Sequence, residues 1–262
     1  MMSYNTLKFA VDDRGVAKVT LNRPDVHNAM SAELIQELLS LCQDIDKDGS
    51  IRVVVLTGAG KSFCAGGDLN WMKSNINKTR EERIAQTSVL ADMLAALNGL
   101  SKPLIGRIQG PAYGGGVGMV SVCDITVGVS SAKFGLTEVK LGLTPATISP
   151  YVVKRIGATN ARRNFFNCRF FGAVEAQSIG LLSEVVDPDQ LDEAVEKELS
   201  MILKCAPGAI ASTKKLVDYV DMHNAKENRV YTAANLADAW ETDEGKEGID
   251  AFLNKRKANW LK

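Results

Sequence analysis

The sequence is short of nearly everything that a metal centre or a disulfide framework needs. Only two histidines, His27 and His223, stand among 262 residues, too few for a common histidine-based metal site. The five cysteines (Cys42, Cys64, Cys123, Cys168 and Cys205) are odd in number, scattered and never in C-x-x-C spacing. That pattern argues against structural zinc and disulfides and fits a reducing cytoplasm. Net charge is also missing: 31 basic residues balance 31 acidic ones, so no strong field draws a polyanion, and non-specific nucleic-acid binding is disfavoured. No apolar run reaches the roughly eighteen residues of a membrane span, because the richest stretch, 117–129, is broken by Asp124. The first residues carry Asn5, Thr6 and Lys8 where a signal peptide would be uninterruptedly apolar. A soluble cytoplasmic protein is expected, with neither membrane nor nucleic acid among its partners.

What is present suits a globular enzyme. With 45% hydrophobic and 24% charged residues the chain can bury a substantial core. Leu7–Val11 and Val16–Leu21 read as a hairpin around the turn signal Asp12-Asp13-Arg14-Gly15. Ser31 can cap a helix in which Leu34, Leu38, Leu41 and Ile45 recur at helical spacing. Ile51–Thr57 and Pro103–Ile108 are apolar, β-branched runs of the kind that a sheet buries on both faces, and a helix from about Arg80 to Leu97 separates them. This alternation predicts an α/β fold with a mostly parallel sheet. After Asp187-Pro188 the strand signals stop, and Leu191–Leu203, Gly208–Val220, Arg229–Trp240 and Glu244–Leu253 read as consecutive helices. Such a tail either covers the core or packs against another subunit.

Two phosphate-binding motifs can be rejected by counting. Before Gly60-Lys61-Ser62 a phosphate loop requires glycine at position 55, which is Val55. After Gly114 and Gly116 a dinucleotide fingerprint requires glycine at 119, which is Met119; starting instead from Gly116-Val117-Gly118, Ser121 stands where glycine is needed. Two glycine clusters remain, Ala65-Gly66-Gly67-Asp68 and Gly114-Gly115-Gly116, each after a predicted strand. Glycine in such places lets backbone N–H groups approach a ligand closely.

Taken with their flanks, these clusters resemble the crotonase (enoyl-CoA hydratase/isomerase) family. The resemblance rests on Asn22-Arg23-Pro24 with Asn28-Ala29, on Ser62 to Leu69, on Gly110 to Gly116 followed by Cys123-Asp124, and on Phe134-Gly135 followed by Glu138. Gly142-Leu143 before Pro145, Gly180-Leu181, and Ala251-Phe252-Leu253 with Lys255-Arg256-Lys257 complete it. It covers nearly the whole chain. It implies a crotonase fold of repeated ββα units over residues 1–200 and a helical oligomerisation region over 201–262, assembled as a homotrimer or a homohexamer.

The resemblance also implies a chemistry. The thioester carbonyl of an acyl-CoA would sit between the N–H groups of Gly67 and Gly115, which stabilise enolate charge where it develops, and Glu138 would be the acid/base group. The substrate would run past Val26, His27 and Ala29, past Ala65, Gly66, Asp68 and Leu69, past Gly114 and Gly118, and past Pro145 and Ala146, whose N–H could help hold a water. His27 would touch it through its backbone. Lys255 would reach the CoA phosphates from a neighbouring subunit, although a solvated C-terminal charge run reads equally well. Asp124 matches a structural position, Cys64 is expected to be a packing residue, and no metal or redox cofactor is required, coenzyme A being part of the substrate.

Departures from the family pattern carry information. Two-glutamate hydratases have a second glutamate where this chain has Gly118. One base suffices for syn addition of water through Glu138, and equally for a Δ3,Δ2-enoyl-CoA isomerase; a weakly catalytic CoA-ester-binding protein is a third reading. Leu143 to Val153 resembles bacterial methylglutaconyl-CoA hydratases, which also lack the second glutamate and favour the hydratase reading. Their substrates carry a distal carboxylate, and glycine at 118 is expected to remove a repulsion and to open room. Asn70 and Leu236 stand where some relatives have a lysine and an aromatic residue near the nucleotide.

Overall fold

The computed structural model describes residues 4–261. The predicted hairpin forms: β1 (Leu7–Val11) pairs antiparallel with β2 (Val16–Leu21), and Gly15 turns the chain at φ +83. Ser31 Oγ accepts from Leu34 N–H and starts α1 (Ala32–Lys47), whose stripe from Leu34 to Ile45 is buried. Strand β3 (Val53–Gly58) is buried along its whole length. It starts two residues later than the apolar run suggests, because Ile51 N–H is spent in a turn on Asp48 O.

Next come α2 (Leu69–Ile76), α3 (Arg80–Asn98), β4 (Leu104–Ile108), the short β5 (Ala112–Tyr113) and α4 (Gly115–Ser121). They are followed by β6 (Ile125–Val129), β7 (Lys133–Gly135), a 3-10 turn at Glu138–Leu141, α5 (Ser149–Asn167), β8 (Phe170–Gly172), α6 (Ala173–Ser178) and β9 (Glu184–Val186). The main sheet has the order β1-β2-β3-β4-β6-β9, parallel from β2 onward, and β5-β7-β8 form a second, small sheet. Each strand-helix return brings the chain back to the same edge, so the loops after β3 and β4 lie side by side at the carboxyl ends of parallel strands, where α/β sheets bind ligands.

The tail consists of α7 (Leu191–Ile202), α8 (Pro207–Met222), α9 (Ala225–Glu241) and α10 (Asp243–Leu253). Helix α9 starts four residues before its sequence signal because Asn224 and Glu227 form a capping box. Helix α7 buries Leu191, Ala194, Val195 and Leu199 against the core, whereas α8 and α9 have no buried residue. Asp124 is structural, as expected: its Oδ2 accepts from Leu104 N–H at 2.7 Å and pairs with Lys214 of α8 at 2.8 Å. No helix among the described residues is long and apolar enough to cross a membrane.

Candidate active site

The loop after β3 is fastened to the loop after β4 by backbone pairing. Phe63 N–H donates to Pro111 O (3.0 Å), Tyr113 N–H donates to Cys64 O (2.9 Å), and Cys64 bridges Ala112. On its other side the same segment pairs with the loop after β2: Met30 N–H donates to Gly66 O (2.7 Å) and Asp68 N–H to Met30 O (3.0 Å). Gly67 lies between these two bonds and its own N–H takes part in neither, while Gly115 N–H opens α4, where no intrahelical acceptor exists. Both N–H groups remain available to a ligand.

Glycine is required here for space and for backbone conformation. Gly66 has φ +93, and a Cβ on it would stand 2.9 Å from Tyr113 O and 3.6 Å from Gly115 N, so the two glycine segments touch. Gly116 is tighter still, with Cys64 O 2.3 Å from a Cβ position. Over Gly115 lies Met30, whose Cε would be 2.0 Å from a Cβ. Met30 thus pairs with the Gly67 segment through its backbone and rests on Gly115 through its thioether. No local signal marks this role, which reasoning from the sequence missed.

Glu138 arrives from the small sheet. Gly114 N–H donates to Gly135 O (2.8 Å), which places the 3-10 turn beside the start of α4, and Glu138 Oε1 lies 2.8 Å from the position of a Cβ on Gly114. Its Oε2 is buried and makes no hydrogen bond. Buried carboxylate oxygens are rarely left so, and this one belongs to a side chain lying against the residue before Gly115. Burial raises the Glu138 pKa above its ordinary value, outweighing the backbone groups of Glu138 and Thr137, which lower it.

That shift makes a stability prediction. A carboxyl with a raised folded-state pKa favours the fold below its unfolded pKa, and the benefit is lost as pH rises through the folded value. Glu138→Gln, which keeps the shape and removes the charge, should therefore be more stable than the parent at neutral pH. The gain should shrink as pH falls through the raised folded value and be gone below about 4, the ordinary glutamate range. Denaturant titrations of both proteins across this range check the sign.

The remaining expected residues are distributed unevenly. Ala29, Gly66, Asp68, Gly114 and Gly118 are buried, Ala65 and Pro145 are half-buried, and Val26, His27, Leu69 and Ala146 are exposed. Asp68 caps α2 through Asn70 and Trp71 N–H and pairs with Arg23 at 2.9 Å. Burial alone would raise its pKa, but Arg23 and the two amides bring it below the usual value. Arg23 also donates to Ala29 O, so that it ties the loop after β2 to Asp68 of the glycine loop. The backbone of His27 already bonds within the protein, its N–H donating to Pro24 O and its carbonyl accepting from Ala65 N–H, and its ring Nδ1 lies 2.9 Å from Ser62 Oγ.

One correction concerns Gly118. The expected room beside it is filled, because Ile148 Cγ2 stands 2.3 Å from where a Cβ would be. Lys255 is exposed just after α10, which packs on α8 and α9. Cys64 is fully buried, and burial pushes its thiol up to about 12, so it is no nucleophile. Among the described residues no cluster of three or more His, Cys, Asp or Glu is placed to hold a metal ion.

The site thus brings together two glycine segments in contact, with N–H groups not bonded within the protein, and one buried, unpartnered carboxylate oxygen. Known proteins share this framework. The family model for enoyl-CoA hydratase/isomerase matches residues 12–262. Enoyl-CoA hydratase AKT6-1 of Alternaria alternata is 33% identical over 93% of this chain and 80% of its own. A crystal structure of an enoyl-CoA hydratase from Shewanella pealeana superposes with TM-score 0.94 at 32% identity, covering 98% of this chain and 96% of that one. An enoyl-CoA hydratase/isomerase from Marinobacter aquaeolei does so at 0.93 with 35% identity, covering 98% and 99%. With the match running from the first hairpin to the last helix, and the glycine loops and Glu138 meeting as described, the chain belongs to the enoyl-CoA hydratase/isomerase family.

Proposed function

We propose that this protein hydrates a 2-enoyl-CoA, with Glu138 as the single acid/base group and Gly67 and Gly115 as the oxyanion donors. The observation that carries this reading is the carboxylate of Glu138, whose Oε1 lies against Gly114 and whose Oε2 is buried and unbonded. In the reaction the ionised Glu138 takes a proton from water, the water oxygen bonds to C3, and the C2=C3 electrons move onto the thioester oxygen between the two N–H groups. The enolate then recovers a proton at C2 from the same carboxyl. The N–H of Ala146, an exposed residue, is the group we assign to holding the water.

A branched, carboxylated acyl chain such as 3-methylglutaconyl is the substrate class we favour. It is supported by the string Leu143 to Val153 and by the absence of a second carboxylate at position 118, which would repel an acidic acyl group. The single glutamate equally suits Δ3,Δ2-isomerisation, in which one base moves a proton between C2 and C4. Turnover of crotonyl-CoA, 3-methylglutaconyl-CoA and a 3-enoyl-CoA should rank the second first. Exclusive turnover of the third would replace this proposal, and turnover of none would leave a binding protein.

The helical tail suggests an assembly. Helices α8 and α9 bury no residue and expose Val217, Met222, Val230, Leu236 and Trp240. An apolar surface of that extent calls for a partner, and we take 201–262 to be the region that forms a homotrimer or homohexamer. Light scattering at micromolar concentration should give a mass of three or six chains; a monomer would contradict this.

A further inference from the structure

We infer that Ile148 is a specificity-determining residue, closing the site along α4 and limiting the acyl group that it admits. The inference rests on the acyl-CoA reading above and concerns a residue to which that reading gives no role. Gly115 and Gly118 are three residues apart on α4 and so lie on one face, about one helical turn apart. On that face, where a side chain at 118 would point, Ile148 Cγ2 and Cβ stand 2.3 and 2.8 Å from the position of a Cβ. Ile148 is only 2% exposed, so it is fixed by its surroundings and does not swing aside freely.

Behind this contact the same two helices continue. Ser121 follows Gly118 by three residues on α4, Tyr151 N–H donates to Ile148 O at the start of α5, and both Ser121 and Tyr151 line a cavity of about 800 Å³ bounded by α8. The cavity's other walls include Val122, Ile125, Ile210 and Val217, so it is largely apolar. Gly118 and Ile148 therefore form one layer, and Ser121 and Tyr151 the next, between the Gly115 N–H and a space large enough for an aliphatic chain. With Ile148 in place, an acyl group that enters along this face stops at the first layer. Removing its side chain extends the site toward the cavity.

The test compares Ile148→Ala and the milder Ile148→Val with the parent protein. Affinities for two unreactive thioesters, butyryl-CoA and decanoyl-CoA, are measured by calorimetry, and kcat/KM is measured for the 2-enoyl-CoAs of the same lengths. A ratio of long-chain to short-chain values cancels general damage to the fold. It should rise roughly ten-fold or more in Ile148→Ala, and by a few-fold in Ile148→Val, if the lost carbons open the path. Should the alanine variant not fold, the valine variant carries the test. An unchanged ratio in a folded variant overturns the inference. A ratio that shifts in binding, with no enoyl-CoA turned over even by the parent, supports the role of Ile148 and refutes the hydratase reading.

Discussion

Glu138→Gln should reduce turnover of any enoyl-CoA by roughly 10²–10⁴-fold, the range that a positioned acid/base group supplies, while acyl-CoA affinity stays within several-fold. The amide matches the carboxylate in shape and keeps the turn beside Gly114, but it cannot accept the proton of water. The affinity should persist because the oxyanion donors belong to the backbone of other loops, and nothing in the pairing of Met30 with Gly66 and Asp68 involves Glu138. Steady-state kinetics together with binding of a saturated thioester separate the two effects: a fall in kcat at constant affinity identifies an interaction made in the transition state. Turnover near that of the parent would remove Glu138 from the mechanism.

The second large effect is expected at position 118, and the structure changes what should be seen there. Gly118→Glu alone drives its Cβ into Ile148 Cγ2, at 2.3 Å, so it should cripple both fold and activity on every substrate. Overpacking of this kind typically costs about 1–3 kcal/mol, occasionally more. Paired with Ile148→Gly, the new side chain gains space, and its charge can act. Two unit negative charges 5 Å apart repel by roughly 3 kcal/mol at an effective dielectric of 20. The double variant should thus lose 3-methylglutaconyl-CoA relative to crotonyl-CoA by about ten-fold or more in kcat/KM. Equal losses on both substrates, in a protein that melts like the parent, would refute the charge argument.

Much of the fold could be read from local pattern. Alternation around Asp12-Asp13-Arg14-Gly15, the Ser31 cap and the apolar runs of β3 and β4 name their elements because each signal is complete within a few residues. The glycine loops and Glu138 were found by motif and stand together in the structure. Contacts between distant segments were not legible. Met30 resting on Gly115, and Ile148 filling the space at Gly118, join residues 85 and 30 positions apart, and an aliphatic or thioether side chain near a helix start looks like ordinary packing. For the same reason Gly118 suggested open room: a missing side chain can be counted in a sequence, whereas the neighbour that fills its place cannot.

The central claim, that one carboxylate and two backbone donors add water to a 2-enoyl-CoA, is tested most directly by running the reaction in D2O and following the acyl chain by NMR. The account predicts a 3-hydroxyacyl-CoA carrying a single deuterium at C2, delivered to the same face as the hydroxyl, with Glu138→Gln forming none. A chain that remains unhydrated while a 3-enoyl-CoA is converted to its 2-isomer would contradict it.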